Sequence, residues 1–218
     1  MLEKIEKATY REKVYKELKS SITIGKLRPG QAITLKKLSE EFGVSIIPIR
    51  EALFKLESEK IIVSESNKGL SVNLLRPEEF LELMGIRRLL ESQLICKSCM
   101  NHPESAVAEV EPIYGRLVKA VQNPVKYITL NWEFHLKLYS FAGLPNTIDI
   151  VENLWARVGP YIFIYTERTG RMRSIDFHRG MLEAFEERDE KKILSCLNAD
   201  LDNSQQEILK YIESADIG

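Results

Sequence analysis

Asn131 and His135 stand four residues apart in Leu130-Asn131-Trp132-Glu133-Phe134-His135, so on a helix their side chains leave one face. An amide oxygen and an imidazole nitrogen side by side could help hold a divalent cation. They could equally be polar core residues, and three histidines in 218 residues (His102, His135 and His178) are no excess. Spacing leaves both readings open. His102 precedes Pro103 and reads as an exposed loop residue. Cys96-Lys97-Ser98-Cys99 is a lone C-x-x-C in a helical stretch. It lacks the second pair of a zinc site and the βαβ context of a redox site, so it reads as packing. Arg87 precedes Glu91 by four, which suits an ion pair worth roughly 0.2–0.5 kcal/mol on an exposed helix. Arg50 lies in "GVSIIPIREALFKLESEKII" (Gly43 to Ile62), where its guanidinium could donate two hydrogen bonds to a guanine.

The elements that must position these groups follow from the pattern around them. Val14, Leu18 and Ile22 recur at helical spacing within 8–24, and Pro29-Gly30 marks a turn. Thr34 can cap a short helix whose inward residues are Leu35, Leu38 and Phe42, and Gly43 ends it. Ser45 can cap the next helix. Pro48 then falls in the first turn, where its missing N–H breaks no intrahelical bond, so it starts the helix rather than breaking it. Ile49, Ala52, Leu53 and Leu56 form the inward stripe. Ile46, Ile47, Arg50 and Phe54 fall beside it, at or near the end of a recognition helix that reaches base edges. An isoleucine there can touch a thymine methyl but cannot hydrogen-bond a base. Ile61-Ile62-Val63-Ser64 and Leu70-Ser71-Val72-Asn73 flank an Asn67-Lys68-Gly69 tip, the pattern of a hairpin. Helix, helix-turn-helix and hairpin predict a winged helix over 1–75. Arg76-Pro77-Glu78-Glu79 opens a helical second domain, 76–218, with breaks that predict an antiparallel bundle of about six helices. The fold class is mainly α.

Composition sets bounds. The chain is 44% hydrophobic and 29% charged, enough to bury a core. Residues 1–72 carry 14 Lys+Arg against 10 Asp+Glu, while the remainder carries 17 against 22. A basic front half points to a polyanionic partner for that half only. No apolar run approaches the roughly 18 residues a membrane span needs, the first residues are charged, and three cysteines make no disulfide framework. A reduced cytoplasmic protein without a membrane partner is expected.

The stretch "LRPGQAITLKKLSEEFGVSIIPIREALFKLESEKII" (Leu27 to Ile62) resembles the winged-helix signature of the GntR family. The resemblance implies that Lys36, Ser45, Arg50, Lys68 and Gly69 meet double-stranded DNA. Where the family typically has arginine and then threonine after the cap, this chain has Ile46 and Ile47, which moves readout toward methyl contacts, the wing and DNA shape. Residues 78–212 resemble the FadR-type ligand-binding domain called FCD, through "IRRLLES" (Ile86 to Ser92), "LNWEFHLKLYSFAGLPN" (Leu130 to Asn146) and "FHRGMLEAFEERDEKKILSCLNADL" (Phe177 to Leu201). This second resemblance implies a metal set of Asn131, His135, His178 and Asp200, the last replacing the usual histidine, and it places Arg87 at the cavity. Mixed oxygen and nitrogen donors suit zinc, nickel or manganese. A cation and an arginine imply a small carboxylate effector, such as an organic or sugar acid. The whole reads as a homodimeric regulator on a palindromic operator, a repressor released by its effector. Two rival readings are a metallohydrolase, for which the sequence offers no H-E-x-x-H, and a protein-interaction module.

Overall fold

Val14, Leu18 and Ile22 become the buried face of helix α1 (Tyr10–Thr23) in the computed structural model, which describes residues 10–65, 69–168 and 171–215. Strand β1 (Ala32–Ile33) leads into α2 (Leu35–Phe42) and α3 (Ile46–Ser58), followed by β2 (Ile62–Glu65) and β3 (Gly69–Val72). The strands form one antiparallel sheet in the order β1-β3-β2, with Ile33 opposite Leu70 and Ile62 opposite Val72. The wing is therefore three-stranded where the sequence suggested a two-stranded hairpin; β1 is only two residues long and has no periodicity of its own. Gly43 closes α2 in the left-handed region, φ 63°, with its N–H on the Ser39 carbonyl. Thr34 and Ser45 occupy N-cap positions, but neither side chain makes a capping bond, a departure from the expected role of both. Pro48 is the third residue of α3. In α2 only Leu38 is fully buried; Leu35 and Phe42 pack at the edge of the core.

Six further helices follow among the described residues: α4 (Pro77–Asn101), α5 (Ala106–Lys119), α6 (Pro124–Ser140), α7 (Pro145–Arg168), α8 (Arg171–Glu186) and α9 (Glu190–Ala215). Pro77 and Pro124 stand at helix starts, where no N–H is needed. Asn123 caps α6, its side chain accepting from the Lys126 N–H at 3.0 Å. One core runs through α4–α9 and a second through the winged helix, joined by Ala156 of α7. Helix α9 packs on α8 and α4, and α6 lies between α5 and α7. These packings bring the middles of α4, α6, α8 and α9 together.

The two cores meet along α1 and α7. Gly159 lets the Thr23 backbone approach, since a Cβ there would lie 2.7 Å from the Thr23 carbonyl oxygen. Gly25, at φ 72°, sits against the Phe163 ring. The Leu75 N–H donates to the Tyr161 hydroxyl at 2.6 Å, and Arg28 pairs with Glu167 at 2.8 Å. His102 follows α4 outside any helix, as the sequence suggested, but it is buried rather than exposed. Its ring stacks on Phe185 at 3.9 Å, and Nε2 lies 2.8 Å from the Phe185 carbonyl. No helix among the described residues is long and apolar enough to cross a membrane.

Candidate metal centre and nucleic-acid interface

Helix α3 buries Ile49, Ala52, Leu53 and Leu56 and leaves its other side bare. Ile47 is 70% exposed, Phe54 72% and Ile46 45%, and Arg50 lies exposed among them. Large apolar side chains clustered in the open on a short helix mark a surface that a partner covers. Arg11 of α1 joins Arg50, Phe54 and Lys55 around one shallow groove, giving the face three cations against Glu51. Lys36 is exposed on α2, and Gly69, at φ 77°, is exposed where the wing returns into β3. Lys68 lies outside the described residues.

The second constellation is buried. Helix α6 supplies Asn131 and His135, α8 supplies His178 and α9 supplies Asp200. The Nε2 atoms of His135 and His178 are 3.1 Å apart, and Asp200 Oδ2 lies 3.7 Å from the first and 3.8 Å from the second. A triangle with these sides has its centre about 2.1 Å from each corner, the length of a zinc–nitrogen or zinc–oxygen bond. Asn131 lines the same cavity, together with Arg87 and Ser174. Burial pushes the His178 imidazole down to about 3. Burial, then the His178 and Arg87 neighbours, holds His135 well below the usual range. Both rings are neutral at pH 7, the form in which histidine is a ligand. Burial raises Asp200 to about 7, against the Ser174 hydrogen bond and the Arg87 charge, which lower it. The buried His178 Nδ1 has no hydrogen-bond partner.

Behind the triangle stands a set of polar groups only half visible in the sequence. Glu91 Oε1 accepts from Arg87 Nε at 2.7 Å and from Trp155 Nε1 at 3.0 Å, while Oε2 accepts from the Tyr139 hydroxyl at 2.8 Å. Tyr139 Oη lies 3.4 Å from His135 Nδ1. A proton on Nδ1 directed at Tyr139 leaves the His135 Nε2 lone pair facing His178 and Asp200. Tyr139 follows His135 by four residues, so its place on the same face was legible; Trp155 comes from α7 and no spacing announces it. The Arg87–Glu91 pair expected from the sequence is present, but buried, and Arg87 lines the cavity as well. The cavity volume is about 20 Å³, room for roughly one water molecule.

The bacterial regulatory protein gntR family matches residues 10–72, and the FCD domain matches 82–203. The chain belongs to the GntR family, in its FCD-containing branch. Among curated relatives, the HTH-type transcriptional regulator McbR of Escherichia coli is 27% identical over 189 residues, 84% of this chain and 86% of that protein. The uncharacterized HTH-type transcriptional regulator YdhC of Bacillus subtilis is 30% identical over 158 residues, 69% and 70% of the two chains. The solved structure of E. coli McbR/YncC superposes with a TM-score of 0.85 at 24% identity, covering 94% of this chain and 99% of that one. This GntR-family chain is accordingly a transcriptional regulator with an FCD effector-binding domain; its relatives are regulators rather than enzymes, which sets the hydrolase reading aside.

Proposed function

We propose that this regulator binds a palindromic operator as a homodimer through α3 and the wing, and represses until a small carboxylate enters the FCD cavity. Asn131, His135, His178 and Asp200 would hold a divalent ion there, with Arg87 beside it. The observation that carries the reading is the His135–His178–Asp200 triangle, whose dimensions fit an ion and whose imidazoles are neutral. A bound zinc, nickel or manganese ion would supply a positive centre for a carboxylate. Arg87 adds a planar donor group whose Nε is committed to Glu91. A gluconate operon transcriptional repressor of Bacillus subtilis is 25% identical over 217 residues, which favours repression and an acidic effector.

A cavity of about 20 Å³ cannot hold even a small acid, so an effector that enters must move the walls. Binding then favours whichever arrangement has the wider cavity, which is how an effector shifts DNA affinity. The exposed Leu81, Ile86, Leu89 and Met100 along α4 give a second copy an apolar face to cover. The DNA part of the proposal is tested by selecting bound duplexes from a random pool and then measuring the Arg50→Ala variant on the selected site. A bidentate arginine–guanine contact predicts a loss of roughly 1–3 kcal/mol and relaxed preference at one base pair. Undiminished affinity would remove Arg50 from the interface. Repeating the selection with candidate carboxylic acids tests release.

A further inference from the structure

A cavity far larger than the one beside the triangle lies where the two domains meet. Its volume is about 490 Å³, within the 300–1,000 Å³ range usual for small-molecule sites. One wall is α1 of the winged helix. The other is made by α6 and α7, and both tryptophans of the chain stand in it. The Trp132 and Trp155 rings pack on each other 4.5 Å apart at 32°; Trp155 is nearly covered, and the half-buried Trp132 with Leu136 and Ile24 forms the apolar wall. Trp155 is tethered through Nε1 to Glu91, whereas the buried Trp132 Nε1 makes no hydrogen bond and packing alone holds that ring. Trp132 also lines the small cavity, so one indole separates the two spaces.

The lining offers one cation that a ligand's acidic group could engage. The Lys19 ammonium is committed to Glu59 at 2.9 Å and Asn153 at 2.6 Å. Lys16 is exposed on the lining and pairs with no carboxylate among the described residues. Glu152 also lines the space from the exposed side of α7, and partial desolvation together with the neighbouring Asp149 raises its carboxyl above the usual range. Flat apolar walls with an unpaired ammonium at the edge select a planar hydrophobic body carrying one acidic group.

We infer that the cleft between α1 and α6–α7 is a second ligand site, for an aromatic carboxylate of about two fused rings, and that it needs no metal. It goes beyond the metal reading and does not depend on it. A ligand there touches α1 and α7 at once, next to the close contacts Thr23–Gly159 and Gly25–Phe163 that seat the DNA-binding domain. It therefore sets how that domain is held. The site differs from the triangle in size, in its aromatic walls and in being shared by both domains.

The test uses 2-naphthoate and the full chain, titrated by calorimetry after chelation and again after zinc is restored. The expected result is one site per chain with equal affinity in both states. Ser20→Trp places a ring in the space from the α1 side and should weaken binding at least about tenfold, and Lys16→Glu should weaken it by a similar factor. Circular dichroism establishes that both variants are folded. Three results would each overturn the inference: no binding at about 1 mM naphthoate, binding that vanishes on chelation, or binding that Ser20→Trp leaves intact. The second would put the ligand at the triangle, so the metal reading would survive while the cleft would not. Naphthoate should also change operator affinity in a gel shift, and an unchanged shift with confirmed binding would refute the cleft's hold on the DNA-binding domain.

Discussion

Removing Glu91 should destabilise the metal-free protein by about 4 kcal/mol, an order of magnitude more than its spacing to Arg87 suggests. On an exposed helix such an i,i+4 pair contributes roughly 0.2–0.5 kcal/mol. Here the two side chains are only 5% and 1% exposed. Glu91→Ala would leave the Arg87 guanidinium buried without a counter-charge, a cost of roughly 3–5 kcal/mol. It would also strip acceptors from Trp155 Nε1 and the Tyr139 hydroxyl, each a buried donor worth roughly 1–3 kcal/mol when orphaned. Water entering the vacated space recovers part of that, so the estimate stays near the middle of the range. Urea unfolding of chelated protein measures the change from the midpoint and slope. The double variant Arg87→Met with Glu91→Leu removes both charges and leaves only the two orphaned donors, so it should lose about 2 kcal/mol, roughly half the cost of the single variant. A single-variant loss below about 1 kcal/mol, or a double variant no better than the single, would show that the pair is solvated.

Gly25→Ala should cost about 2–4 kcal/mol, combining a left-handed backbone with a Cβ placed 2.1 Å from Phe163 Cδ1. In a Phe163→Ala background only the backbone part, about 1–2 kcal/mol, should remain; equal costs in both backgrounds would contradict the contact between the domains. Chelated protein should lose stability on acidification. Unfolded, His135 and His178 each take a proton near pH 6.5, while in the folded protein they stay neutral and only Asp200, raised to about 7, gains one. The unfolded chain thus binds one more proton from this cluster, a loss of about 1.4 kcal/mol per pH unit between roughly pH 6 and 4. Unfolding of His178→Phe over the same range should show a slope shallower by that amount, and an identical slope would contradict the assignment.

The winged helix was readable because its signals are local. Gly43 breaks α2, Pro48 fits only a first turn, and the apolar stripe of α3 leaves Arg50 and the two isoleucines outside. The six-helix count followed in the same way from breaks near Pro103, Pro124 and Pro145, with a fourth at Arg188-Asp189 and a fifth at Gly170, which lies outside the described residues. Burial was harder to read. Asn101-His102-Pro103 has the composition of an exposed loop, yet His102 is covered by Phe185 and its carbonyl accepts from Arg188 Nη2 at 2.6 Å. Arg87 and Glu91 were legible as a pair but not as a buried one, because four other helices supply what encloses them. The capping serine and threonine occupy their positions without making the bonds their residue types allow. The meeting of Gly25 with Phe163 and of Gly159 with Thr23 spans more than 130 residues of chain, and no periodicity encodes it.

Metal analysis of the full chain bears most directly on the buried centre. After chelation and back-titration with zinc, one ion per chain should bind, and His135→Ala combined with His178→Ala should abolish that uptake while circular dichroism confirms folding. Stoichiometric zinc retained by the folded double variant, or none taken up by the parent chain, would contradict a metal centre at His135, His178 and Asp200.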